Sequence, residues 1–171
     1  MTKPTMLNNV DIEKVAALSQ KIQNEPKTAD TKWSAEVDWK GGFRCETKIR
    51  EFSPTASDEP DVLGGTDAGP NPAEQLLAAL GNCLAVGYAA NATAAGIKLN
   101  GMKIKIDGDL DLHTFMGLRE GHAGFNNIVA QVDLKTDASP EQLKALHEKV
   151  RSTSPIGHTL QNAVRVTVKP V

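Results

Sequence analysis

NPAEQLLAALGNCLAVGYAANATAAGIKL, residues 71–99, is the stretch on which the fold turns. Asn71 is a good helix N-cap, and Pro72 fits the first helical turn, where a missing N–H costs nothing. Glu74, three residues after the cap, has the spacing to bond back to it as a capping box. Gly96 suits the left-handed position past a helix end, and Ile97 supplies the apolar contact that accompanies it. Between these signals lie roughly 24 residues, about 36 Å of helix at 1.5 Å per residue. Leu76, Leu80, Cys83 and Leu84 share one face, followed by Gly87 and Tyr88. Small residues (Ala78, Ala79, Gly81, Ala85, Ala89, Ala90) let other backbone approach closely. The pattern predicts a buried spine, with one sulfur, Cys83, about three turns in. That sulfur is either a small core residue or a reactive group.

Working outward, residues 11–23 have a short helical pattern (Ile12, Val15, Ala16, Ile22), and NEPKTAD reads as a linker. KWSAEVDW alternates, with Trp33, Ala35, Val37 and Trp39 on one face. After the KGG turn, FRCETKIREF alternates again, with Phe43, Cys45, Thr47 and Ile49 opposite Arg44, Glu46, Lys48 and Arg50. The pair predicts a β-hairpin. SPTASDEPDVLGGTDAGPNP is a long loop, expected to fold over the start of the central helix and wall the site. Gly64, Gly65 and Gly69 would occupy its positive-φ or close-approach positions. Past the spine, GMKIKIDGDLDL and NIVAQVDLKT read as strands joined by the loop HTFMGLREGHAGF. SPEQLKALHEKVRS reads as a helix with the Ser139–Pro140–Gln142 capping signature and an apolar face of Leu143, Leu146 and Val150. A short helix starting at Ser154–Pro155 and a final strand, VRVTVKPV, complete the order. The expected class is α+β with antiparallel sheets around a long central helix. An N-terminal helix and linker over 1–31 precedes the main domain, 32–171.

Composition narrows the function. The 171 residues are 40% apolar and 23% charged, as in ordinary globular chains. A net charge of −2 and only 4% aromatics give neither a basic footprint nor a stacking platform for nucleic acid. The polar N-terminus lacks an apolar targeting core. Gly81, Asn82, Gly87, Asn91 and Thr93 interrupt the longest apolar run, which argues against a membrane span. Two cysteines without a signal peptide suggest a reducing cytoplasm. His113, His122, His147 and His158 have no ligand spacing, so neither a metal nor a cofactor is expected.

DEPDVLGGTDAGPNPAEQLLAALGNCLA, residues 58–85, resembles the signature of the OsmC/Ohr family, named for osmotically inducible protein C and organic hydroperoxide resistance protein. The Gly-Gly turn, GPNP, Glu74, the LLAAL run and Cys83 carry the resemblance. The order of downstream elements extends it over roughly residues 32–171. It implies an intertwined homodimer with two interface sites. It also implies thiol-dependent reduction of organic hydroperoxides by a peroxidatic and a resolving cysteine, with an Arg–Glu pair beside the first sulfur.

The chain departs from that pattern in three places. The second cysteine's position, before a proline at the start of a late helix, is Ser154, which cannot resolve a sulfenic acid and makes a good N-cap instead. The acidic residue of the peroxidase branches lies ten residues before the helix cysteine, where this chain has Ala73. Glu74 lies nine before, about 100° around the helix. No arginine sits clearly at the family position; Arg44, after KGG, is the nearest candidate, ahead of Arg50 and Arg119. The candidate catalytic set is Cys83, Glu74 and Arg44. Alternatives stand for each: Cys83 as core packing, Glu74 as a plain cap, Cys45 as a core residue or as the group that resolves Cys83, and His158 as a neighbour of the sulfur. Two function classes follow. One is a single-cysteine thiol peroxidase that reduces a small-molecule peroxide with an external thiol. The other is a non-catalytic dimer that binds a small apolar ligand at its interface.

Overall fold

The structure is a computed structural model describing residues 6–170. Residues 1–5 and Val171, the ends of the polar N-terminal stretch and of the expected final strand, lie outside the described residues. The chain forms two compact units. One is Glu13–Leu76, and the other runs from Leu77 onward together with the residues up to Ile12.

In the first unit, α1 (Ile12–Asn24) leads through a single 3-10 turn, Pro26–Ala29, to an antiparallel sheet. The predicted hairpin is present as β1 (Glu36–Trp39) and β2 (Cys45–Lys48), with Trp39 opposite Cys45. Trp33 and Ala35 precede the strand and are exposed. Cys45 and Thr47 are half-buried while Glu46 and Lys48 face out, as their alternation requires. A third strand, β3 (Thr55–Ser57), pairs with β2 inside what reads as loop sequence.

Beyond β3 the chain is held by one buried carboxylate, Asp58, which is 1% exposed. It accepts hydrogen bonds from the Thr66 hydroxyl (2.6 Å) and from the N–H groups of Glu59 (2.9 Å), Thr66 (3.0 Å) and Ala68 (3.3 Å). Those bonds, the Thr66 hydroxyl first, hold its carboxyl below the ordinary value. Two of the three loop glycines are at close approaches. A Cβ on Gly65 would lie 1.8 Å from the Glu59 carbonyl oxygen, and one on Gly69 would lie 2.9 Å from that of Ala56. Gly64 has φ +88°, the left-handed region.

α2 (Pro72–Ala94) is the predicted long helix, but it is not buried along its length: within this chain only Leu80, Tyr88, Ala92 and Thr93 are buried, and Val86 is exposed. Its capping box is formed. The Asn71 side chain accepts from the Glu74 N–H (2.8 Å), and the Glu74 carboxylate accepts from the Asn71 N–H (2.9 Å). At the far end Gly96 has φ +70°, and the Ile97 N–H reaches the Ala92 carbonyl (2.8 Å). Asn8 braces this corner: its amide donates to the Thr93 hydroxyl (3.0 Å) and the Ile97 carbonyl (2.9 Å) and accepts from the Leu99 N–H (2.8 Å). By length and composition alone α2 is long and apolar enough to cross a membrane.

In the second unit β4 (Gly101–Leu110) and β5 (Phe125–Lys135) form a two-stranded antiparallel ladder, with a short α3 (Leu112–Phe115) between them. α4 (Pro140–Thr153) starts with the Ser139–Gln142 capping box, and α5 (Pro155–Gln161) follows directly. Tyr88, Ala92, Ile97, Leu146 and Val150 make the core, with Ile104, Val132 and Leu134 packed against it. Gly87 lets α4 approach α2: a Cβ there would lie 3.1 Å from Val150 Cγ1.

One expected element is missing. Residues 163–170 form no strand, and Val164, Val166 and Val168 stand exposed at 59%, 83% and 90%. The alternation is that of a strand, but a strand needs a neighbouring edge to take its backbone hydrogen bonds. Among the described residues none pairs with it.

Two outcomes test the loop. Gly65→Val should cost about 1–3 kcal/mol or more in chemical denaturation, because the new side chain overlaps backbone. Because the Asp58 carboxyl titrates below its ordinary value, its contribution is complete above about pH 4 and is lost as pH falls through the lowered folded value. The Tm gap between wild type and Asp58→Asn should therefore be widest and flat near neutrality and close in acid.

Candidate active site

Cys83 lies on α2 at the end of its third turn and is half-buried. Its Sγ is 3.3 Å from Ser154 Oγ, a contact across 71 residues of sequence. Ser154 is buried and is the N-cap of α5, where its oxygen accepts from the Gly157 N–H at 3.0 Å. With that lone pair engaged, the hydroxyl hydrogen remains free for the sulfur. When Cys83 is a thiol either atom can donate. When it is a thiolate only Ser154 can.

Ser154 also forms part of the wall of a cavity of about 580 Å³. Leu80, Leu84 and Tyr88, one face of α2, form one side. Ile128, Ala130 and Val132 of β5 form another, and α4 contributes His147 and Arg151. Tyr88 is buried, and its hydroxyl is 2.7 Å from His147 Nδ1, with the two rings edge-to-face at 5.4 Å. Burial pushes the Tyr88 phenol above its ordinary value, so it stays neutral and hydrogen-bonding.

The other sequence-derived candidates are distributed as follows. Arg44 and Glu74 belong to the Glu13–Leu76 unit and Cys83 to the other. Glu74 is occupied in the capping box, as its plain reading requires. Arg44 is exposed at the end of the hairpin turn, its backbone bonded to Lys40 and Gly41. Arg50 stacks on Phe52, and Arg119 pairs with Asp111, so neither guanidinium is free. Cys45 lies on the hairpin sheet of the Glu13–Leu76 unit and is a free thiol. His158 bonds the Ser152 carbonyl (3.0 Å). No group of His, Cys, Asp and Glu among the described residues has the arrangement of a metal site.

Tyr88, His147 and Arg151 are absent from the sequence-derived set. A signal did exist for the last two. They lie four apart on a capped helix, on one face, and Arg151 lies three residues before the Ser154–Pro155 helix start.

The model of the family described as OsmC-like protein matches residues 65–169, more than half of the chain, including Cys83, Ser154 and the cavity wall. The chain belongs to the OsmC-like family. Solved structures share the fold at low identity. An OsmC-like protein from Mycoplasma pneumoniae aligns with TM-score 0.67 at 20% identity, over 77% of this chain and 89% of its own. An organic hydroperoxide resistance protein, OsmC, from Legionella pneumophila aligns with TM-score 0.60 at 16% identity, over 77% of this chain and 90% of its own. Another organic hydroperoxide resistance protein, from Elizabethkingia anophelis with thiocyanate bound, aligns with TM-score 0.57 at 17% identity, over 77% and 89%. No curated protein matches the chain. Within the OsmC-like fold, the partner of the helix cysteine in this chain is a hydroxyl.

The 3.3 Å contact generates a test. Ser154→Cys should form an intramolecular disulfide with Cys83 on mild oxidation, read as a loss of two free-thiol equivalents on non-reducing mass analysis. Ser154→Ala should cost about 1 kcal/mol of stability through the lost α5 cap.

Proposed function

We propose that this OsmC-like protein reduces organic hydroperoxides with Cys83 as its one peroxidatic sulfur and an external thiol as reductant. The observation that carries the reading is the Cys83 Sγ–Ser154 Oγ contact beside an apolar cavity. A thiolate at Cys83 attacks the terminal peroxide oxygen. The S–O bond forms as O–O breaks, sulfur loses two electrons, and the leaving alkoxide takes a proton to become the alcohol. The Ser154 hydroxyl can donate to the thiolate before attack. It cannot displace the sulfenic acid afterwards, because that step needs a second thiol. One external thiol therefore condenses with the sulfenic acid, releasing water and leaving a mixed disulfide. A second thiol attacks that disulfide and frees Cys83. The sum is one hydroperoxide and two thiols to one alcohol, one water and one external disulfide. A reducing cytoplasm supplies such thiols.

Arg44 is proposed as the cation that favours the thiolate, in a homodimer, with Glu74 orienting it through Oε1 while Oε2 stays in the capping box. Unpartnered apolar surface supports the second copy. Val86 on the apolar α2 is 70% exposed, and Val37, Trp39 and Phe43 of the hairpin region and the three valines of residues 163–170 are also exposed. A chain this size that buries so few apolar side chains has surface to cover. An obligate-type interface of more than about 2,000 Å² would do so.

Two measurements check this reading. Without thiol, stopped-flow mixing with cumene hydroperoxide should consume one equivalent per chain and stop. Added monothiol should then sustain turnover, with inactivation by over-oxidation at high peroxide. Cys83→Ser should consume none, and consumption at the wild-type rate would remove Cys83 from the mechanism. Analytical ultracentrifugation at micromolar concentration should give a dimer, and a clean monomer would remove the shared-site arrangement.

A further inference from the structure

We propose that the cavity between α2, β5, α4 and α5 is a binding site for an apolar monocarboxylate, its acid group held by Arg151 and its chain lying on Leu80, Leu84, Ile128 and Val132. The proposal goes beyond the reduction of peroxides and does not depend on the chemistry of Cys83.

Three observations carry it. The first is size and lining. About 580 Å³ is within the range of small-molecule sites, and the hydrocarbon walls come from two elements, α2 and β5. The second is charge. Arg151 is the one arginine or lysine in the lining, and no Asp or Glu lines the cavity. Among the described residues Arg151 has no ion-pair partner. An unpaired guanidinium at the edge of an apolar space favours an anion, and its planar fork matches a carboxylate through two parallel hydrogen bonds. One positive charge matches a monoanion, whereas a dianionic phosphate would leave a charge uncompensated. The third is the clustering of polar groups. His147 lies one turn before Arg151 on the same face of α4 and is fixed by its 2.7 Å bond to the buried Tyr88 hydroxyl. Asn126 and Asn127, at the start of β5, add amides to the lining. His147 and Arg151 thus set polar groups on the α4 side of a cavity whose Leu80, Leu84, Ile128 and Val132 walls are apolar, which is the layout an amphipathic ligand needs.

Isothermal titration calorimetry on the full chain tests this, with Cys83→Ser as the background so that thiol oxidation contributes no heat. Octanoate and decanoate at submicellar concentration should bind saturably, one per chain, with decanoate the tighter. Decanol should bind about tenfold or more weakly, because it leaves Arg151 unpaired. Arg151→Gln should weaken decanoate by a similar factor while leaving the melting curve and the decanol affinity unchanged. Arg151→Lys, which keeps the charge and loses the fork, should fall between. Ala130→Phe, which fills the cavity from β5, should abolish binding of both ligands. Decanoate that binds equally well to wild type and Arg151→Gln, or no better than decanol, overturns the proposal. So does an absence of saturable heat, the result expected if a second copy of the chain fills the cavity.

Discussion

The absence of a side chain at Gly87 is the constraint on which the rest of the second unit depends. With only hydrogen there, α4 approaches α2 closely enough for Val150 to pack over it, almost fully buried. That approach sets the two polar contacts on either side. One residue on, Tyr88 meets His147. One turn back, Cys83 meets Ser154, which follows α4 directly. A larger residue at 87 would have to push α4 away, and both contacts depend on the separation of α2 from α4 and from the segment that follows it. The sulfur of Cys83 is thus placed by packing, not by a loop.

The consequence for chemistry follows from what Ser154 can and cannot do. Its oxygen is committed as the α5 cap, so its hydrogen is the part available to Cys83. A hydroxyl in that position stabilises a negative sulfur and is inert towards an oxidised one. A thiol in the same position would be inert towards neither. In the proposed chemistry that single-atom difference separates a site that resolves itself from one that needs a thiol from outside.

Much of this was legible in the sequence where the signals are local. The capping boxes at Asn71–Glu74 and Ser139–Gln142, the Gly96 stop and the alternation of the hairpin all rest on neighbours within a few residues, and all are present. What escaped depends on distance along the chain. The final strand has the right alternation in Val164, Val166 and Val168 but no edge to pair with among the described residues. β3 is three residues long and lies within Pro- and Ser-rich sequence, so only its pairing with β2 makes it a strand. Asp58 carries no local signal, because three of the four groups that donate hydrogen bonds to it lie eight and ten residues later. His147 read as one of four unrelated histidines, because the Tyr88 hydroxyl that engages it is 59 residues away.

The central claim is that Cys83, held against a hydroxyl, is oxidised and then waits for an external thiol. Its most direct measurement is peptide mass spectrometry after one equivalent of organic hydroperoxide in the presence of dimedone. The account predicts a single dimedone adduct on Cys83, with Cys45 left as a free thiol. A Cys45–Cys83 disulfide, or a folded protein in which Cys83 takes up no dimedone and remains reduced, would contradict it.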